Sequence, residues 1–151
     1  MQRKICTFAG HAKIYNAAEL RVKLKNEIIN LIENHNVTTF YIGGKGEFDW
    51  LCAECVKKLK SDYLFIKSCL ILAYTPTKKK KLDINRYDDF DDTIYPGLET
   101  VPPKYAIIKR NEWMINMSSF LIAYVCHGWG GAYKTLTYAK KQNNIKICNI
   151  F

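Results

Sequence analysis

The feature that most constrains this chain is a recurring unit: a short apolar run, a glycine turn, then a helical pattern. One copy is Lys4–Ala9 ending at Gly10-His11, followed from Asn16 by Leu20, Leu24, Ile28, Leu31 and Ile32 at steps of three and four. A second is Thr38–Ile42 ending at Gly43-Gly44, then a helix from about Phe48 with Leu51, Cys52, Cys55, Val56 and Leu59 on one face. The third is Phe120–Val125 leading through Gly128-Trp129-Gly130-Gly131 into a helix from about Gly131 to Lys141. Ile66 to Ala73 reads as a strand covered on both faces, and Ile145–Ile150 as a last strand. Regular structure also resumes at Tyr105–Ile108, with a helix through Met114. Strands alternating with helices in this way predict an α/β, Rossmann-like three-layer sandwich with a mainly parallel sheet of about five or more strands. Ligands of such sheets bind outside the carboxyl ends of the strands, where all three glycine turns fall. A glycine turn opening onto a helix presents backbone N–H groups suited to phosphate.

At 151 residues the chain reads as a single domain, 1–151, able to bury a core with no disulfide or metal staple. The rhythm breaks from Thr75 to Pro103, which holds all four prolines, the run Lys78–Lys81 and the acidic patch Asp88-Asp89-Phe90-Asp91-Asp92. This stretch reads as a long insertion loop, around 75–103, in which the two charge blocks can pair with each other. No apolar stretch approaches the roughly 20 residues of a membrane span, and Met1-Gln2-Arg3-Lys4 runs straight into a strand pattern with no leader-like segment. The expected location is cytoplasmic. Cys6, Cys69, Cys126 and Cys148 sit in apolar runs and read as small hydrophobes. Cys52 and Cys55 form a C-x-x-C inside a helical pattern, with no second pair to complete a metal site. No metal and no cofactor is expected. The net charge of +9 favours an anionic partner or a basic surface.

The motifs exclude two familiar nucleotide enzymes. Gly128 to Thr135 approaches G-x-x-x-x-G-K-[ST], but Tyr133 stands where the second glycine admits phosphate to the backbone, so a P-loop ATPase or GTPase is not expected. The fingerprint G-x-G-x-x-G is absent after the first strand, which argues against a conventional nicotinamide dehydrogenase.

Four ordered motifs remain: Thr7-Phe8-Ala9-Gly10-His11, Gly43 to Asp49, Arg110-Asn111, and Gly130-Gly131-Ala132 through Thr135. Together they resemble the SLOG superfamily, which joins the DNA-processing protein DprA, the LOG phosphoribohydrolases and YpsA-like proteins, and in particular its short stand-alone bacterial members. The resemblance implies a Rossmann-like fold that binds nucleotides or nucleotide-derived ligands, and a homodimer or higher homo-oligomer. LOG enzymes carry Arg-Lys-x-x-Met and Pro-Gly-Gly-x-Gly-Thr-x-x-Glu, and cleave the N-glycosidic bond of nucleoside monophosphates. Arg110 and Met114 match the first motif, with Asn111 in place of lysine. Gly130, Gly131 and Thr135 match the second with one extra residue between, and Thr137 or Tyr138 stands at the place of the catalytic glutamate.

The candidate ligand-binding residues are Gly10, His11, Gly43, Gly44, Asp49, Arg110, Asn111, Gly130, Gly131 and Thr135. Gly130 and Gly131 offer N–H groups to phosphate, Thr135 a hydroxyl and Arg110 a bidentate contact. Gly43 and Gly44 let a ribose or base approach, and His11 touches phosphate or ring. Asp49 or Glu47 accepts from ribose hydroxyls, or serves as the carboxylate if the protein is an enzyme; Glu47 alternatively just opens a helix, where negative charge is favourable. Trp129 and Tyr133 either stack on a base or pack at a subunit interface, and His127 is equally open. The leading expectation is a non-catalytic or weakly catalytic protein that senses or sequesters an ADP-ribose-type, cyclic ADP-ribose-type or nucleoside phosphate ligand. The alternatives are a LOG-like N-glycosidic hydrolase and, third, a single-stranded DNA binder like DprA.

Overall fold

The computed structural model describes residues 4–75 and 88–151; the Lys78–Lys81 run lies outside them. The elements are β1 (Lys4–Gly10), α1 (Ala17–His35), β2 (Val37–Ile42), α2 (Glu47–Leu59), β3 (Lys67–Ile71), β4 (Asp92–Ile94), a 3-10 turn (Pro103–Tyr105), α3 (Ala106–Met117), β5 (Phe120–Tyr124), α4 (Gly131–Lys140) and β6 (Lys146–Asn149). The strands form one sheet in the order β4-β3-β2-β1-β5-β6, and every pairing is parallel. This is the expected Rossmann-like α/β sandwich.

Strand alternation sorts the core into two layers. Cys6, Phe8, Phe40, Ile42, Phe120 and Ile122 face α1 and α2, whose buried stripes include Leu24, Ile28, Phe48 and Val56. The intervening Ala9, Leu121, Ala123 and Val125 face α3 and α4 through Ile115, Leu136 and Ala139. On the same side Met114 packs with Tyr41 and Ile71, while Trp113 stacks on Tyr41 at 5.6 Å between ring centroids. Helix α1 buries the five residues its periodicity marks. Cys52 and Cys55 both point into the core from α2 and carry free thiols. No helix among the described residues is long and apolar enough to cross a membrane.

Three details differ from the sequence reading. The stretch read as a loop contains the edge strand β4, paired with β3 from Cys69 opposite Asp92 to Ile71 opposite Ile94. A three-residue strand beside four aspartates carries too little apolar signal to be recognised, and charge is what an edge strand tolerates. The acidic patch also has partners other than the lysine run. Asp89 forms an ion pair with Lys57 of α2, and Asp91 with Lys60, the residue that follows the helix. The Asp91 carboxylate accepts from the Ser68 N–H at 2.9 Å, and the Asp91 N–H donates to the Ser68 carbonyl at 2.9 Å. The patch therefore clasps the edge of the sheet to α2. Helix α3 also runs on to Met117, past the expected Met114.

The carboxyl end of β1 is packed against the start of α2. A Cβ on Gly10 would lie 2.1 Å from the Phe48 ring, so glycine is required there by space. Gly10→Ala is expected to cost about 1–3 kcal/mol of stability through overpacking. A chemical denaturation series checks this, with Phe48→Leu in the same chain expected to recover part of the loss.

Candidate functional site

The chain leaves β1 toward β2, β3 and β4 on one side, then crosses back to β5 and β6 on the other. The carboxyl ends of β1 and β5 are thus the topological switch point, where such sheets open a crevice. A cavity of about 600 Å³ occupies this place. Its walls include residues 8–13 at the end of β1 and in the turn after it, Lys45 and Asp49 at the start of α2, Arg110 and Asn111 on α3, Cys126 and His127 after β5, and Trp129 to Ala132 with Thr135 at the start of α4. The volume is that of a small-molecule site. Among the described residues Lys13, Lys45 and Arg110 bring positive charge to the walls, against the one carboxylate of Asp49.

Both helices that begin at the cavity do so in the same way. Gly46 precedes α2 with φ 93° and ψ 168°, and Gly130 precedes α4 with φ 92° and ψ 176°. That region of backbone space is open essentially to glycine alone. Neither helix has a side-chain cap. At α4 the first intrahelical bond is from the Lys134 N–H to the Gly130 carbonyl, so the earlier amides of the turn have no partner within the helix. Gly131 stands differently: its φ is not in the left-handed range, and beyond its chain neighbours and its own helix backbone no atom of the described residues lies within 4 Å of a Cβ built on it. Nothing in the fold requires glycine at Gly131. Thr135 lines the cavity, but its hydroxyl donates to the Gly131 carbonyl at 3.0 Å.

The second turn is braced from below. Arg110 is 5% exposed. Its Nη1 donates to the Gly43 carbonyl at 2.7 Å and to the Ile71 carbonyl at 3.4 Å, and its Nε donates to Asn111 Oδ1 at 3.2 Å. A Cβ on Gly43 would lie 3.0 Å from Arg110 Cζ and 3.3 Å from Asp49 Oδ2, so this glycine makes room for the two charged groups. Gly44, with φ 69°, fits against Leu70. Gly43 and Gly44, expected at the ligand, are not among the cavity-lining residues; their backbone serves the brace. Glu47 is not a lining residue either. Its Oε2 accepts from the Ile14 N–H at 2.7 Å and its own N–H donates to the Ala12 carbonyl at 2.8 Å, lacing the first turn to the second.

Asp49 is buried at the cavity wall, accepting from the Lys45 N–H at 2.9 Å through Oδ2. Burial pushes its pKa up to about 6, against the pull of the Lys45 amide and the Arg110 charge. Burial also lowers the pKa of Arg110, which Asp49 partly opposes.

At the other wall three rings form a column. His11 stacks on His127 with 3.8 Å between centroids, and His127 stacks on Trp129 at 3.9 Å. Trp129, at the outer end, is 70% exposed. His11 Nε2 accepts from the Cys126 N–H at 2.9 Å, tying the first turn to the last. Burial, then the neighbouring His127, lower the His11 pKa. The Asn149 amide fixes the end of β5, accepting from the Val125 N–H at 3.1 Å and donating to the Val125 carbonyl at 3.0 Å. Sequence reasoning gave no role to Lys13, Lys45, Gly46, Cys126 or Asn149. The glycine of G-x-F-D before Asp49 was a signal for Gly46; nothing in the sequence marked Asn149. Cys126, read as a core residue, is instead half-buried at the cavity.

These features define a doubly wound, all-parallel α/β domain with its cavity at the switch point. No protein-family profile and no curated protein sequence matches the chain. Among solved structures it is similar to DNA processing protein A from Helicobacter pylori, studied for its binding of single-stranded DNA, with a TM-score of 0.58 and 14% sequence identity. The match covers 91% of this chain and 61% of that one, so the chain spans less than two thirds of that protein's length. At this identity the likeness is one of fold.

The displaced Asp49 pKa has a measurable sign. It lies above the ordinary 3.8, so the folded protein takes up a proton that the unfolded chain binds only at lower pH. Stability relative to an Asp49→Asn variant is expected to rise as pH falls from about 7 to about 4.5, by at most about 3 kcal/mol. Denaturant unfolding of both proteins across that range checks it; a constant difference would refute the shift.

Proposed function

We infer that the switch-point cavity binds a nucleotide-derived, phosphate-bearing small molecule, and that the chain is a SLOG-type domain acting as a sensor or sequestering protein. The observation that carries this reading is Gly131. It is a glycine without a conformational or packing reason, in an uncapped helix N-terminus, on the wall of a cavity of nucleotide size. Absence of a side chain there serves a group that comes close to the backbone, and helix N-termini favour anions. The surplus of lysine and arginine on the walls supports the same ligand charge. The ring column ending in the exposed Trp129 supports an aromatic base in the ligand, since stacked aromatic pairs contribute about 0.5–1.5 kcal/mol beyond burial. ADP-ribose-type molecules and nucleoside phosphates both meet these demands.

N-glycosidic hydrolysis through Glu47 finds no support, because that carboxylate is bound to the Ile14 amide. Asp49 remains the acidic residue of the cavity wall, and its main contacts brace the second turn. The single-stranded DNA reading has one observation in its favour, the fold likeness to DNA processing protein A.

Gly131→Ala tests the small-molecule reading. A methyl group there meets open space, so thermal stability is expected to stay within about 0.5 kcal/mol of wild type, as for surface changes generally. Affinity for ADP-ribose or a nucleoside monophosphate, measured by calorimetry, is expected to fall at least about tenfold, or about 1.4 kcal/mol. Undiminished affinity in the variant, or no binding of any such ligand by wild type, overturns the reading. If single-stranded DNA is the ligand, oligonucleotide anisotropy should weaken steeply with salt, with a log–log slope of about −0.7 per phosphate neutralised.

A further inference from the structure

We propose that His11, Cys126 and His127 form a binding site for a single transition-metal ion of the zinc class at the wall of the cavity. One ligand atom from each of the three residues lies within 4.8 Å of the others, the span of an open site before an ion draws its ligands in. The residues come from the turns after β1 and β5, the two strands that define the switch point, and the His11–Cys126 hydrogen bond already holds those turns together. His127 Nδ1 is buried with no hydrogen-bond partner among the described residues, an unmet polar atom of the kind a ligand satisfies. The Cys126 thiol is free and half-buried.

The donor set decides the class of ion. Two imidazole nitrogens and one thiolate suit zinc, cobalt, nickel or copper and not magnesium or calcium, which take oxygen ligands. Three protein ligands leave a further position for water or another group from the cavity side. Binding requires loss of the Cys126 thiol proton to solvent, with the sulfur becoming the anionic ligand. It also requires His127 to turn. Rings stacked face to face at 3.8 Å do not converge on one ion, and an ion bound through His11 Nε2 would displace the Cys126 N–H that this nitrogen now accepts. His127 is followed by Gly128, around whose α-carbon a Cβ would meet nothing within 4 Å. Turning His127 withdraws the ring on which Trp129 rests, so the tryptophan reports the event.

The inference is independent of the nucleotide reading, and its test uses the ion alone. The whole chain, stripped with a chelator, is titrated with cobalt(II) and then with zinc(II). The expected result is saturable one-to-one binding, a thiolate-to-cobalt charge-transfer band in the near ultraviolet, displacement of cobalt by zinc, and a change in tryptophan emission absent from Trp129→Phe. Cys126→Ser is expected to abolish the band, and His127→Ala to weaken binding at least tenfold, while both keep a cooperative thermal transition. The double change Cys52→Ser with Cys55→Ser tests the other cysteine pair, which is buried in the core. A band that survives Cys126→Ser overturns the proposal, as does one lost only in the Cys52/Cys55 variant or a titration with no saturable binding.

Discussion

The burial of one guanidinium organises this molecule. Arg110 sits on α3, a helix of one layer, and its donors reach the carbonyls of Gly43 and Ile71 at the carboxyl ends of β2 and β3. A buried cation is costly unless its charge and its donors are met. Here two carbonyls, the Asn111 side chain and the Asp49 charge meet them. The need to satisfy that one group sets the path of the β2–α2 turn, excludes a side chain at Gly43 and brings Asp49 to the cavity wall. Arg110 therefore acts on the site largely through what it holds. The expected phosphate clamp is first of all a brace for the backbone.

Each of the three turns uses glycine for a different physical end. Gly10 leaves space for the Phe48 ring, and Gly43 leaves space for a charged pair. Gly46 and Gly130 adopt backbone angles that other residues avoid. Gly128 and Gly131 answer to neither demand, and of the two Gly131 lines the cavity. Position in a motif alone does not distinguish these uses. A glycine required by space, one required by angle and one that answers to neither look identical in the sequence.

The fold was legible because it rests on periodicity. The alternation that puts Phe40 and Ile42 on one face and Tyr41 on the other, and the α1 stripe from Leu20 to Ile32, are one-dimensional patterns with direct three-dimensional consequences. β4 was hidden because three residues among aspartates carry no such pattern, and its stability derives from Lys57, Lys60 and Ser68 far away in the chain. The site was legible in part. His11, Asp49, Arg110 and Gly131 stand out by type and place, and all line the cavity. The commitment of Glu47 to Ile14, and the meeting of His11 with Cys126, depend on loops brought together only by the finished sheet.

That last meeting has a consequence for folding. His11 and Cys126 are 115 residues apart, and the cavity has no second wall until β5 has been added beside β1. Closing a contact of such sequence separation costs loop entropy that nearer contacts do not. A partly folded chain thus offers a visitor no cavity, and whatever the cavity binds selects the complete structure. Occupancy at a hundred times the dissociation constant would add about 2.7 kcal/mol to unfolding of the whole domain. The site is a keystone: it exists only where both halves of the arch meet.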